Sequence, residues 1–232
     1  MRTNDSIIKS IWDKVTDIQL NQLYMYYEIL NEESKKINLT SITEIEEVYI
    51  KHFYDSILLA KSIDIYNKHI VDVGTGAGFP GIVLKIIEPS IKLTLIEPTT
   101  KRCNFLNKVI NELKLTDVTV INDRAEIAIL DLRESFDIAT ARAVANLSIL
   151  LELLVPFVKV NGYIVPMKGS NVLEELDSAK NATTKLKIKH IETKQYMLPM
   201  DKGERNILLF NKVESTPNIY PREYARIKKK PL

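Results

Sequence analysis

Four glycines and two carboxylates carry the first chemical signal in this chain. The segment HIVDVGTGAGFPGIVLKIIEPSIKLTLIEP ends one apolar run near Asp72, then places Gly74, Gly76, Gly78 and Gly81, and closes a second apolar run on Glu97. Glycines so spaced let the backbone turn tightly and approach a ligand that a Cβ would push away. An acid at the end of the second run can accept hydrogen bonds from both hydroxyls of a ribose. Strand, glycine turn, helix, strand, acid is the opening half of a nucleotide-binding α/β unit.

The loop alone does not choose the cofactor. From Gly76 to Gly81 the spacing fits the dinucleotide fingerprint GxGxxG. From Asp72 it reads DxGxGxG, the first motif of methyltransferases that use S-adenosylmethionine, in which Asp72 and the backbone from Gly74 to Gly78 face the amino acid end of the cofactor. Downstream, TARAVANL puts Arg142 at the end of a fourth strand, where this architecture holds its reacting groups. It lacks the Asn or Asp, prolines and aromatic used for methylating an adenine amino group, and no Cys follows a proline, as pyrimidine C5 chemistry requires. An acceptor atom that already owns a lone pair, a ring nitrogen or a hydroxyl, fits what remains. Arg142 and Lys168 suit a phosphate or the O6 and N7 edge of a purine, and internal ion pairs would suit them equally. As a strand-end cation, Arg142 is expected to carry little core packing.

Three segments must position these groups. Residues 1–66 read as a helical N-terminal extension: Ile18, Leu20, Leu23, Tyr24, Tyr27 and Leu30 recur mostly at three and four, and Thr43 to Glu46 has capping-box spacing ahead of a second helical stretch. A third helix is expected over 54–62. Asn38, Thr40, His52 and Asp55 are polar enough to line a substrate entrance. Residues 67–213 read as the α/β core, with strands near 118–123, 136–141 and NGYIVPMKG, a helix over 171–184, and a late pair, 186–199 and RNILLFNKV, that gives an antiparallel finish. No second βαβαβ half follows, which favours the methyltransferase layout over a dinucleotide fold. Backbone groups at Ala125 and Glu126, after the third strand, would flank an adenine; a local helix cap explains them as well. Lys101 and Arg102 near a helix start would be held by an outside anion or by Glu97. Residues 214–232 form a basic tail in which Tyr220 and Tyr224 interleave with Arg222, Arg226, Lys228, Lys229 and Lys230, the composition that stacks bases and meets phosphates.

Composition bounds the class. With 232 residues, 45% hydrophobic and 27% charged, the chain is an ordinary globular protein of one medium domain and an appendage. Its single cysteine, Cys103, suits a reducing compartment and reads as buried filler. Three widely spaced histidines give no metal pattern, and the apolar runs are too short for a membrane span or a signal peptide. Net charge is only +2, so a nucleic-acid partner rests on local patches such as the tail.

Taken in order, NLT, HFYDSI, VDVGTGAGFPGI, LIEP with KRCNFL, NDRAE, TARAVANL, MKG and YPR with KKKPL resemble the RsmG (GidB) family of bacterial 16S ribosomal RNA guanine-N7 methyltransferases. The resemblance spans the chain from about residue 20. It implies a cytoplasmic class I, Rossmann-like fold with a mostly parallel sheet, an antiparallel C-terminal strand and the helical extension. S-adenosylmethionine would be the cofactor and 16S ribosomal RNA or the small ribosomal subunit the partner, with no membrane, no metal and a monomeric state. Carried over residue by residue, it implies cofactor contacts at Asp72, Gly74, Gly76, Gly78, Phe79, Glu97, Ala125, Glu126 and Arg142. Arg142 also takes the catalytic role. Substrate contacts fall to Asn38, His52, Lys168, Arg222, Arg226, Lys228, Lys229 and Lys230, and Asp55 matches a further polar position. Glu97 stands where many members have Asp, and Ala225 where many have Gly.

Overall fold

The computed structural model describes residues 3–142 and 145–232, so the middle of TARAVANL lies outside the described residues. The chain opens with α1 (Asp5–Ile11) and α2 (Asp17–Ser34). Leu20, Leu23, Tyr26 and Leu30 are the buried residues of α2, one stripe at helical spacing. A capping box starts this helix: the Thr16 hydroxyl accepts from Gln19 N at 3.3 Å, and Thr16 N donates to Gln19 Oε1 at 2.9 Å. The box expected at Thr43 is not formed. The next helix, α3 (Ile45–Val48), has Glu44 at its N-cap and no side-chain cap bond. It also does not stop short of a separate third helix. A π-helical turn, Tyr49–Tyr54, joins α3 to α4 (Asp55–Ser62) in one continuous run. Widened turns of this kind cluster at functional sites, and this one carries His52 and delivers the chain to Asp55.

The α/β core follows as β1 (His69–Val73), α5 (Gly81–Ile87), β2 (Lys92–Ile96), α6 (Thr100–Glu112), β3 (Val118–Ile121), α7 (Ala125–Leu132), β4 (Phe136–Arg142), α8 (Leu147–Leu154) and β5 (Val158–Lys168). The helix expected over 171–184 is two, α9 (Val172–Ser178) and α10 (Lys180–Leu186), divided at Ala179. They lead to β6 (Ile188–Met197), β7 (Glu204–Lys212) and α11 (Tyr224–Lys229). The seven strands lie in the order β3-β2-β1-β4-β5-β7-β6. The first five are parallel, and β7 runs antiparallel to both β5 and β6. Side chains alternate across this sheet into two cores. Ile70, Leu93, Leu95 and Ile138 pack with the extension, α5 and α6; Val71, Val73, Ile96 and Ala139 pack with α7, α8 and α10. Because both faces are covered, the central strands read as unbroken apolar runs.

This is the Rossmann-like layout expected of the sequence. Its order reverses between β1 and β4, and ligands of open α/β sheets bind outside the carboxyl ends of the strands at such a point. No described helix is long and apolar enough to cross a membrane.

Candidate functional site

The glycine loop leaves β1 at that switch point. Gly74 N donates to Ile96 O at 2.8 Å, and Gly76 N donates to Glu97 Oε2 at 3.1 Å, so the end of β2 fixes the loop. Gly76 has φ +61°, and a Cβ there would meet nothing within 4 Å; the loop presents bare backbone to open space. Gly78, at φ +95°, is constrained from the protein side, since a Cβ would lie 2.6 Å from the Tyr26 hydroxyl. Tyr26 is fully buried, donates to Ala77 O and stacks on Phe79 at 5.3 Å between ring centroids. The helical extension therefore latches the loop through α2. Nothing in the local spacing of α2 announced this contact.

Asp72 is wholly buried beneath the loop. Its Oδ2 accepts from Thr75 Oγ1 at 2.6 Å and Gly81 N at 2.9 Å, whereas Oδ1 has no protein donor. Burial pushes this carboxyl up to about 6, against the lowering pull of the two hydrogen bonds. Glu97 Oε1 accepts from Thr99 N at 2.9 Å, and Arg102 stands 3.8 Å from Oε2. Arg102 is thus held by Glu97, one of the two options left open by the sequence. Cys103 is buried, with its thiol 3.0 Å from Glu97 O. Ala125 and Glu126, at the uncapped start of α7, line a cavity of about 250 Å³ together with Val73, Gly74, Ile96 and Pro98. An orphaned buried carboxylate oxygen, a loop position that a side chain would fill, and an apolar hollow beside a strand-end acid fit a nucleoside cofactor with an amino acid arm.

A second hollow, about 340 Å³, opens beside β4 and is lined by Lys51, His52, Asp55, Arg142, Lys168 and Arg205, among others. Arg142 Nη1 donates to Asp55 Oδ2 at 2.9 Å and to Lys51 O at 3.0 Å, and Nη2 lies 3.1 Å from His52 Nδ1. Its guanidinium also stands 5.1 Å from the centre of the Phe79 ring, on which His52 stacks at 4.4 Å. Burial, and then the Arg142 charge, push His52 down to about 3. The ring is therefore neutral, with Nδ1 3.1 Å from both Arg142 Nη2 and Lys51 O, and Nε2 2.9 Å from Thr40 Oγ1. Arg142 is far from a bare strand end, contrary to expectation. Its partner Asp55 is 2% exposed, so the pair ties the sheet to the helical extension. Two larger hollows lie elsewhere, one where β4 begins, at Asp137 and Ile138, and one between Asn171 and Leu232. Neither touches the glycine loop.

The structure thus brings Phe79, His52, Asp55 and Arg142 together, with Lys168 on the same rim. Lys168 Nζ contacts Glu175 Oε2 at 2.6 Å and Ala145 O at 2.8 Å. Asn38 does not join them; it is exposed, and its carbonyl lies 3.4 Å from Arg102. Arg205 was missed: its Nε sits 3.2 Å from Asp55 Oδ1. The signal was available, because an antiparallel last strand begins where its parallel neighbour β5 ends, at the ligand edge of the sheet. Arg222, grouped with the RNA-facing tail cations from its composition, grips fully buried Glu152 on α8, Nε to Oε1 at 2.7 Å and Nη2 to Oε2 at 2.6 Å. Arg226, Lys228, Lys229 and Lys230 remain exposed. Among the described residues no cluster of His, Cys, Asp and Glu could hold a metal ion.

The family model for rRNA small subunit methyltransferase G matches residues 19–207, which takes in the extension, the loop, the Arg142 cluster and Arg205. The chain belongs to this family. It is accordingly an S-adenosylmethionine-dependent methyltransferase. Family relatives include ribosomal RNA small subunit methyltransferase G of Mycoplasma capricolum, 47% identical over 209 residues that cover 90% of each chain. The protein of the same name from Bacillus cytotoxicus is 48% identical over 217 residues, covering 92% of this chain and 91% of the relative. Among solved structures, M. jannaschii TYW2 in complex with AdoMet superposes with a TM-score of 0.54 at 19% identity, covering 68% of this chain and 77% of that one. At that identity the likeness shows the shared fold.

Proposed function

We propose that this chain transfers a methyl group to N7 of a specific guanine in 16S ribosomal RNA. S-adenosylmethionine supplies an already activated sulfonium methyl, so the protein's task is alignment of an acceptor with it. In this reading Asp72, Gly74, Gly76, Gly78, Phe79 and Glu97 hold the cofactor beside β1 and β2, and Ala125 and Glu126 flank its purine. The observation that carries the acceptor assignment is the cationic hollow at Arg142, which faces the loop through Phe79 and whose two carboxylates, Asp55 and Glu175, are taken up by Arg142, Arg205 and Lys168. His52 is neutral and already committed to Thr40 and Arg142. Guanine N7 has a lone pair and no proton to lose, so it matches a site whose carboxylates are held in ion pairs.

Arg142, fixed by Asp55 and Lys51 O, would meet O6 or an adjoining phosphate and leave N7 free. Lys168 and Arg205 extend the cationic rim toward the RNA backbone, and His52 positions the guanidinium. Asn38 and the exposed tail cations Arg226, Lys228, Lys229 and Lys230 contact RNA outside the target base. The partner is 16S ribosomal RNA or the small ribosomal subunit, met by a monomer in the cytoplasm.

The test is incubation with methyl-labelled S-adenosylmethionine and 16S ribosomal RNA lacking the modification, followed by nuclease digestion and mass spectrometry. Label in 7-methylguanosine at one position supports the reading. Label in another nucleoside, or in none, overturns it.

A further inference from the structure

We propose that the C-terminal segment is part of the cofactor site, with Tyr224 closing the purine side of the cavity and the Arg222–Glu152 pair holding it there. This rests on the reading of the 250 Å³ cavity as the cofactor's purine end. The cavity walls come from the ends of β1 and β2, the start of α7, Leu153 of α8, and Tyr224. Tyr224 alone among them comes from residues 214–232.

Its placement follows from anchors on both sides. Tyr220 is 7% exposed, and its carbonyl accepts from Arg133 Nη2. Arg222 binds Glu152 through its backbone N at 3.0 Å as well as through the guanidinium fork. Glu152 immediately precedes Leu153, so the carboxylate that seizes the tail and the side chain that lines the cavity are neighbours on one helix. Beyond Tyr224, Ile227 is fully buried in the core shared with α7 and α8. A charged pair removed from water at this depth is weak evidence for stability, because its desolvation offsets much of its attraction. It is better evidence for register: the planar fork accepts one geometry, and that geometry brings α11 against the cavity. The tail's aromatic residues thus serve the cofactor, and its exposed cations face outward.

Linkage follows from shared contact. A ligand that binds better when the tail is closed must also hold the tail closed, by the same factor. The docked tail seen here should therefore open less often when the nucleoside is bound.

Calorimetry with S-adenosylhomocysteine on the full chain tests this. Tyr224→Ala should weaken binding about tenfold or more, the scale seen when an aromatic contact to a base is removed. Tyr224→Phe should stay within about threefold of wild type, since the ring is retained. An alanine variant within about twofold of wild type would overturn the proposal, whereas failure of the wild-type protein to bind would instead strike the cofactor reading. Arg222→Ala strands a buried carboxylate and can unfold the tail outright, so a second measurement uses the unaltered protein. Trypsin cleavage at Arg226, Lys228 and Lys229 should slow in saturating S-adenosylhomocysteine. An unchanged rate, with binding shown by calorimetry, contradicts the linkage.

Discussion

Arg142 Nη1 donates to Asp55 Oδ2 at 2.9 Å, joining the last residue of β4 to the first of α4. The opposite oxygen of Asp55 faces Arg205 at 3.2 Å. One buried carboxylate therefore orients two cations from two strands, and the helical extension is what supplies it. The extension is a component of the site because every group that holds the Arg142 guanidinium by hydrogen bond, Asp55, Lys51 O and His52, belongs to it.

Arg142→Ala should lower single-turnover methylation by about 10²-fold or more at saturating cofactor and RNA, the scale of a lost aligning contact. It should also cost about 2 kcal/mol in urea denaturation, less than a fully stranded buried charge because Arg205 still faces Asp55. Arg142→Lys should recover little rate, since an ammonium cannot reach Asp55, Lys51 O and His52 in one plane. A wild-type rate for the alanine variant would make the residue structural.

Gly76→Val should abolish measurable cofactor binding, at least tenfold, while costing about 2 kcal/mol of stability from its positive φ. The space its side chain would enter is open in the protein. Gly78→Ala should behave differently, with a larger drop in melting temperature, because its Cβ meets Tyr26 and Ile82. Equal thermal losses for the two variants would contradict the assignment of one face to ligand and the other to packing.

Asp72 holds its proton more tightly in the folded chain, at about 6, than at its ordinary 3.8. Its ionisation thus opposes folding: the favourable contribution is full below pH 3.8 and is lost as pH rises through about 6. Asp72→Asn, which does not titrate, should gain relative to wild type by roughly 2 kcal/mol between pH 4 and pH 6.5 and little further above it. Cofactor affinity at pH 7.5 should fall. Urea titrations of both proteins across this range check the sign, and a gap that narrows with rising pH would refute it.

Replacing Arg226, Lys228, Lys229 and Lys230 with Ala should weaken RNA binding and lower its log–log salt slope by roughly 0.7–0.9 for each phosphate contact removed. Affinity for S-adenosylhomocysteine should not change. An unaltered salt slope would mean that these side chains meet no phosphate.

The sheet and the glycine loop were legible because buried parallel strands leave continuous apolar runs, and because Gly76 and Gly78 adopt backbone angles that other residues avoid. The cluster around Arg142 was legible in part: the residue types were visible, while its partner lay 87 positions away. Arg205 and Tyr26 escaped notice for the same reason, since each acts through a contact distant in sequence, and Tyr224 was read from composition as an RNA-stacking residue because its place beside the cavity is set by α7 and α8. The tail shows the opposite failure. Arg222 and the cations beyond it look alike as composition, and only buried Glu152 on α8 separates them. Thr43 misled because a capping box is a local pattern, and tertiary packing set the helix start elsewhere.

The central claim is that the acceptor arrives with its lone pair free, so that no side chain takes a proton during transfer. The most direct measurement is the single-turnover methylation rate between pH 6.5 and 8.5, with cofactor and 16S ribosomal RNA saturating. With His52 pushed down to about 3, a flat profile is expected. A rate that climbs tenfold per pH unit across this range would reveal a required base and contradict the account.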